Sequence, residues 1–214
     1  MKPSAKPRIV LVTPPVDDAA QFAPQLASAC SAADVAAVIL RLAPGDEATQ
    51  IRRVRDIVVA LPPPTGPIIM LEGYANLVAK TAADGVHLHD SDLVSAVRKA
   101  LRDERTVGAG RLQSRHDAMI AAENGADYVL FGEPDASGRR PGLPAIVERL
   151  EWWAELFVIP CIAYAATLDE MEDLVAAGAD FIALGEETVW SAPEGHARTL
   201  AAAMVHLAVA EPAP

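Results

Sequence analysis

A closed, single-domain (β/α)8 barrel of the α/β class, the TIM-barrel architecture, is the fold predicted for this chain, and three observations predict it. One short phrase recurs: Ala32-Ala33-Asp34-Val35, Ala82-Ala83-Asp84-Gly85-Val86, Gly125-Ala126-Asp127-Tyr128-Val129 and Gly178-Ala179-Asp180-Phe181-Ile182. Short apolar runs alternate with stretches of helical spacing along the whole chain. The 214 residues, 51% of them hydrophobic, suffice for one well-buried core. The alternative, an open doubly wound sheet, calls for a glycine-rich phosphate turn after its first strand. Here that turn is Thr13-Pro14-Pro15-Val16-Asp17, without glycine.

The elements follow in order. Ile9–Val12 opens the strand series, then come Val35–Leu40, Pro67–Leu71, Val86–Leu88, Thr106–Ala109, Tyr128–Phe131, Val158–Ala163 and Phe181–Leu184. Nearly all of these residues are apolar, as suits parallel strands covered on both faces. Helices are expected over 17–32, 46–60, 74–82, 92–102, 114–124, 143–156, 168–177 and 195–209. In the seventh, Met171, Leu174 and Val175 face in while Glu170, Glu172 and Asp173 face out. Gly125 and Gly178 suit the left-handed position that ends a helix, and the aspartate after each can bond nearby backbone as the turn closes. The Pro-rich segment at 62–67 reads as a loop, so the domain runs over 8–210, with 1–7 and 211–214 as frayed tails.

Composition excludes several classes of function. A net charge of -11 repels phosphate backbones and anionic membranes, so neither nucleic acid nor a membrane is expected as a partner. No apolar run approaches a bilayer span, and the run after Arg8 is too short for a secretory segment. Cys30 and Cys161 make no disulfide framework and read as small buried hydrophobes. A soluble, cytoplasmic protein is the expectation. Of Trp152 and Trp153, one belongs in the core and one is available to a partner subunit, so a homodimer is possible.

In such a barrel, function lies at the C-terminal ends of the strands. Those ends supply Thr13-Pro14, Arg41, Glu72, His89-Asp90-Ser91-Asp92, Gly110-Arg111, Gly132-Glu133, Tyr164-Ala165-Ala166 and Gly185-Glu186-Glu187. The loop after strand six adds Arg139 and Arg140. Arg41 can line the mouth or simply pair with Glu72. Asp92 can bind a metal or cap the helix that follows it. Glu72, Glu133, Glu186 and Glu187 can form an acidic pocket or be scattered solvated charge. His87 sits mid-strand and reads as structural, His89 is nearer the mouth, and His196 and His206 read as surface. No residue can be assigned a catalytic role from spacing alone.

Several of these segments resemble the thiamine phosphate synthase family and its thiazole tautomerase relatives, over nearly the whole chain. Leu11-Val12-Thr13 is similar to the family's opening Leu-Val-Thr. Ala83-Asp84-Gly85-Val86-His87-Leu88, with Asp92-Leu93 after it, resembles Ala-Asp-Gly-Val-His-Leu-Gly-Gln-x-Asp-Leu. Gly125-Ala126-Asp127-Tyr128-Val129 with Gly132 resembles Gly-Ala-Asp-Tyr-Ile-x-x-Gly, and Pro160 begins a run parallel to Pro-Val-Val-Ala-Ile-Gly-Gly-Ile. The resemblance implies a barrel that couples a hydroxymethylpyrimidine pyrophosphate to a thiazole phosphate with Mg²⁺. It also implies a dissociative reaction, with a pyrimidine cation forming as pyrophosphate leaves.

Strand-end position and the resemblance together give a candidate site of Arg41, Glu72, His89, Gly110, Arg139, Arg140, Ala165, Gly185 and Glu186 around a phosphorylated heterocycle, and the resemblance puts Asp92, with Glu72 as a replacement, on Mg²⁺. The departures from the family pattern are concentrated at that site. The strand-two Gln-Leu-Arg-Glu-Lys is Ile39-Leu40-Arg41-Leu42-Ala43, and the strand-three Asn-Asp is Glu72-Gly73. The strand-five Ser is Gly110, the Thr-x-Thr-Lys loop is absent, the strand-seven Gly-Gly is Ala165-Ala166, and the strand-eight Ser is Glu186. A carboxylate about 5 Å from a phosphate costs about 3 kcal/mol per unit charge at an effective dielectric near 20. Glu186 must therefore turn away from a bound phosphate or bind a metal. The tautomerase histidine has only His116 near its place. A non-catalytic or regulatory barrel, or a tautomerase-like or other isomerase with an acidic mouth, is the alternative reading.

Overall fold

The computed structural model describes residues 6–61, 66–135 and 137–209. Eight parallel strands close into a ring in sequence order: β1 Arg8–Val12, β2 Val35–Leu40, β3 Ile68–Glu72, β4 Gly85–Leu88, β5 Thr106–Ala109, β6 Tyr128–Phe131, β7 Cys161–Ala165 and β8 Phe181–Leu184. Helices α1 Ala19–Ala32, α2 Glu47–Ala60, α3 Ala75–Val78, α4 Leu93–Leu101, α5 Arg115–Glu123, α6 Leu143–Leu156, α7 Met171–Ala176 and α8 His196–Val209 alternate with them. The Pro-rich loop and both tails fall mostly outside the described residues.

The recurring aspartate has a physical role at the bottom of the barrel. Asp84 precedes β4, and its carboxylate accepts the Ile69 N–H of β3 at 2.7 Å. Asp127 precedes β6 and accepts from Val107 N of β5 at 2.7 Å, and Asp180 precedes β8 and accepts from Cys161 N of β7 at 2.8 Å. In each case the aspartate's own N–H donates back to the carbonyl of the same residue. The first copy differs, since Asp34 is paired with the Arg8 guanidinium of β1 at 2.7 and 2.9 Å. The glycines before two of the aspartates are left-handed as expected, at φ 94° for Gly125 and 97° for Gly178.

Alternation along the strands divides the core in two. Ile9, Leu11, Val38, Leu40, Val86 and Val129 pack outward under the helices. Val10, Val12, Ile39, Met70, Tyr128, Leu130, Ile162 and Tyr164 fill the interior. Two glycines make room for the interior tyrosines. A Cβ on Gly108 would lie 1.9 Å from the Tyr128 ring, and one on Gly185 would lie 2.0 Å from the Tyr164 hydroxyl.

Some elements differ from the sequence expectation. Strand β7 begins at Cys161 rather than at 158, because Pro160 has no N–H for the ladder and Val158 is exposed. Helix α3 stops at Val78, where Thr81 Oγ1 takes over the Leu77 carbonyl and accepts the Ala83 N–H. The seventh helix starts as a 3-10 turn over Leu168–Glu170. An unexpected π-type turn, Glu186–Trp190, follows β8, and Trp190 Nε1 donates to the Val12 carbonyl at 2.8 Å across the ring closure. Trp153 is fully buried, while Trp152 is partly buried beneath the Arg115 guanidinium. Among the described residues no helix is long and apolar enough to cross a membrane.

Candidate functional site

The mouth is organised by a buried histidine–carboxylate cluster. The Gly85-Val-His87-Leu-His89 alternation turns both imidazoles toward the interior, with ring centroids 5.3 Å apart. His87 is fully buried, with Nδ1 2.9 Å from the Tyr128 hydroxyl and Nε2 3.3 Å from Glu133 Oε2. Glu133 reaches the axis because Gly132 takes φ 84° directly after β6. Its other oxygen, Oε1, lies 3.5 Å from His89 Nε2. Burial pushes the Glu133 pKa up, but the charge and hydrogen bond of His87, with His89 beside it, outweigh burial and hold it well below the ordinary carboxylate value. Burial, then the Glu133 and Asp127 charges, keep the Tyr128 hydroxyl protonated far above its ordinary value.

A second layer of charge lies above this cluster. Thr13 Oγ1 accepts the Arg41 N–H at 3.0 Å and fixes the end of β2. Arg41 Nε is 3.2 Å from Glu72 Oε2, so Arg41 both lines the mouth and pairs with Glu72. Arg111 reaches Glu72 Oε1 at 3.6 Å from a left-handed backbone, φ 52°, a conformation an arginine holds only at a cost. His89 Nε2 is 3.8 Å from the same oxygen. Glu72 Oε2, His89 Nε2 and Arg111 Nε are buried atoms that make no hydrogen bond.

Two cavities of similar size flank this layer. One, about 330 Å³, is lined by Pro15, Arg41, Leu42, Glu72, Gly73, Tyr74 and His89. The other, about 320 Å³, is lined by residues that include Arg111, Gly132, Glu133, Asp135, Arg139 and Arg140. The Arg111–Glu72 and His89–Glu133 contacts join the two walls.

The structure thus brings Arg41, Glu72, His89, Gly110, Arg139 and Arg140 to the mouth, while Glu186 and Asp92 are exposed. A Cβ on Gly110 would lie 2.4 Å from both Glu133 Oε2 and His87 Nε2, so the missing serine is the space in which those two groups meet. Arg139 is exposed and paired with Asp135. Arg140 is held by Glu170 at 2.8 and 2.9 Å and also donates to the Gly132 and Tyr164 carbonyls. Glu170, expected to face out, is half-buried, and its Oε2 accepts the Ala166 N–H at 2.9 Å. An internal carboxylate therefore sits on the backbone amide just past Ala165. Ala165 and Gly185 are buried, and Glu186 has turned into solvent. Glu187, also exposed, meets the Tyr164 hydroxyl at 3.3 Å. His116 is exposed on α5.

Mg²⁺ requires an octahedral set of oxygens. The residues expected to hold it are Glu72, paired with two arginines, and Asp92, exposed at the start of α4. Asp92 does not cap α4 with its side chain; its N–H donates to Asp90 Oδ1 at 2.9 Å. Among the described residues, the group able to surround a metal is His87, His89 and Glu133.

His87, expected to be structural, is fully buried as that reading requires and also faces His89 and Glu133, while Tyr128 and Glu170 were not among the expected site residues. The signal for His87 was present, since residues two apart on a strand share a face and His89 had already been placed at the mouth.

Comparison with known proteins agrees with this architecture. The sequence model of the family described as thiamine monophosphate synthase matches residues 9–187. A thiamine-phosphate synthase of Rhodospirillum centenum is 38% identical over 91% of this chain and 94% of its own. One of Hyphomonas neptunium is 35% identical over 94% of both. The solved thiamine phosphate pyrophosphorylase from Pyrococcus furiosus superposes with a TM-score of 0.78 at 18% identity, covering 96% of this chain and 97% of that one, which shows the fold. By family match and by identity over most of its length, this chain belongs to the thiamine monophosphate synthase family.

Proposed function

We propose that this barrel performs a thiamine-phosphate-synthase-type coupling in the cytoplasm, joining a hydroxymethylpyrimidine diphosphate to a thiazole phosphate. The observation that carries the reading is the pair of arginine-bearing cavities meeting at one charged wall. Two anionic substrates side by side need that plan, and relatives 35% and 38% identical over most of their length are named thiamine-phosphate synthases. The diphosphate goes to the Arg41 cavity. The thiazole phosphate goes to the Arg111 and Arg139 cavity, because Glu170 already occupies the amide beyond β7.

In the coupling, the bond from the pyrimidine methylene carbon to the diphosphate oxygen breaks. The electron pair leaves with the diphosphate. Arg41 stands where that negative charge grows, a fixed cation in a half-buried site. Glu72, paired with Arg41 and Arg111, supplies the negative charge that faces the carbocation. The thiazole nitrogen then donates its lone pair to the carbon and becomes the thiazolium of the product. Enzymes of this family generally depend on Mg²⁺. Glu72 and Asp92 are the carboxylates that would hold that ion together with the diphosphate oxygens, and it would supply charge stabilisation for the leaving group.

The test is direct. Purified protein, both substrates and Mg²⁺ are expected to give thiamine phosphate and pyrophosphate by mass. No product from folded protein, beside a working control enzyme, overturns the reading. A second reading, a proton shift on a phosphorylated heterocycle, is favoured by half-exposed His89 lying against the buried carboxylate of Glu133. Deuterium uptake from D₂O without coupling would establish it.

A further inference from the structure

We propose that His87, His89 and Glu133 bind one first-row divalent transition ion, with Zn²⁺ the best fit, at the bottom of the mouth. The candidate ligand atoms all lie within 4.8 Å of one another. His87 Nε2 to Glu133 Oε2 is 3.3 Å, and His89 Nε2 to Glu133 Oε1 is 3.5 Å. Ligands about 2.0–2.2 Å from a tetrahedral ion stand about 3.3–3.5 Å from each other. Each imidazole is therefore at coordination spacing from one oxygen of the Glu133 carboxylate, which stands between them.

Three further features point the same way. His89 Nε2 is a buried nitrogen that makes no hydrogen bond, and it faces the carboxylate. His87 carries the outer partner that metal-bound histidines use: its Nδ1 meets the Tyr128 hydroxyl, which holds the ring with Nε2 toward the site. Gly110 leaves open the space beside the ligands, where a Cβ would stand 2.4 Å from both His87 Nε2 and Glu133 Oε2. Two imidazoles and a carboxylate suit zinc, iron, cobalt or nickel, whereas Mg²⁺ takes oxygen ligands. Three protein ligands leave a fourth position for water or substrate at the junction of the two cavities. Glu72, 3.8 Å from His89 Nε2, adds negative charge at its edge.

The proposal does not depend on the coupling reaction, because its test reads the ion itself. The full chain, stripped with chelator, is dialysed against Zn²⁺ in excess Mg²⁺, and bound metal is counted by atomic emission. One Zn²⁺ per chain, held tighter than about 1 µM, is expected. Co²⁺ in its place should give the visible bands of a tetrahedral nitrogen–oxygen site. His89→Gln and Glu133→Gln should weaken Zn²⁺ at least about 100-fold, Tyr128→Phe about tenfold, and surface His206→Gln not at all. If Glu133→Gln fails to fold, half-exposed His89→Gln decides alone. Substoichiometric binding, displacement by millimolar Mg²⁺, or Zn²⁺ affinity unchanged in His89→Gln overturns the site and leaves an imidazole–carboxylate cluster that needs no ion.

Discussion

At the bottom of the barrel, Asp84, Asp127 and Asp180 each accept a strand N–H and donate to the carbonyl of the same residue. At the mouth, the strand ends carry an arginine, a glutamate, a histidine, a glycine and a tyrosine-bearing turn, held by contacts that do not repeat. The bottom satisfies strand-end amides that any barrel of this kind must satisfy. The mouth satisfies no general requirement of the fold; its residues are arranged around one another. Stability and chemistry are thereby divided between the two ends, and substitutions at each should move different measurements.

The largest effect is expected at the mouth and on turnover. Arg41→Ala should lower the coupling rate by about 10²–10³ while the melting temperature stays within about 2 °C. A melting temperature that falls with the rate would place Arg41 among the structural residues instead. Between the two ends, Gly108→Ala drives a methyl into the Tyr128 ring and should cost about 3 kcal/mol in urea unfolding. At the bottom, Asp84→Ala leaves the Ile69 N–H without its acceptor and should cost about 2 kcal/mol, with turnover per folded molecule unchanged.

The smallest effect concerns the outer shell. Burial pushes the Cys30 thiol up to about 11 from an ordinary value of 9.0. The folded state therefore holds the proton that the unfolded chain releases. Stability from this group is complete below about pH 9 and is lost as pH rises toward 11. Alkylation of native protein at pH 8 should be much slower than of denatured protein; equal rates would show that α1 does not shield the thiol.

The same division explains what could be read in the sequence. The aspartate phrase is local and periodic, and it located the even-numbered strands because a helix end, a turn and a strand start are neighbours in sequence. Arg41, Glu72 and His89 could be named because strand ends define the mouth. Their partners could not be named, because each contact crosses the ring. Glu170 looked like a solvent-facing helix residue until the loop after β6 placed Arg140 against it. Gly110 looked like the loss of a serine, yet its bare Cα is what lets His87 and Glu133 touch. Asp92 had a place in a motif, and the turn before α4 leaves it exposed. Backbone turns such as Gly132 at φ 84° decide these outcomes, and a motif does not record them.

Each of the three aspartate ties joins an even-numbered strand to the odd-numbered one before it, and Asp34 with Arg8 does the same for the first pair. The ring is thus made of four two-strand modules, each closed by its own carboxylate. The carboxylate of Asp127 also binds Arg98 of α4, and the Asp84 carbonyl accepts the Thr106 N–H of β5, so the ties reach across the short turn Arg102–Glu104 between β4 and β5. In terms of assembly, the ring is a series of strand pairs riveted to their neighbours, with no seam between two halves.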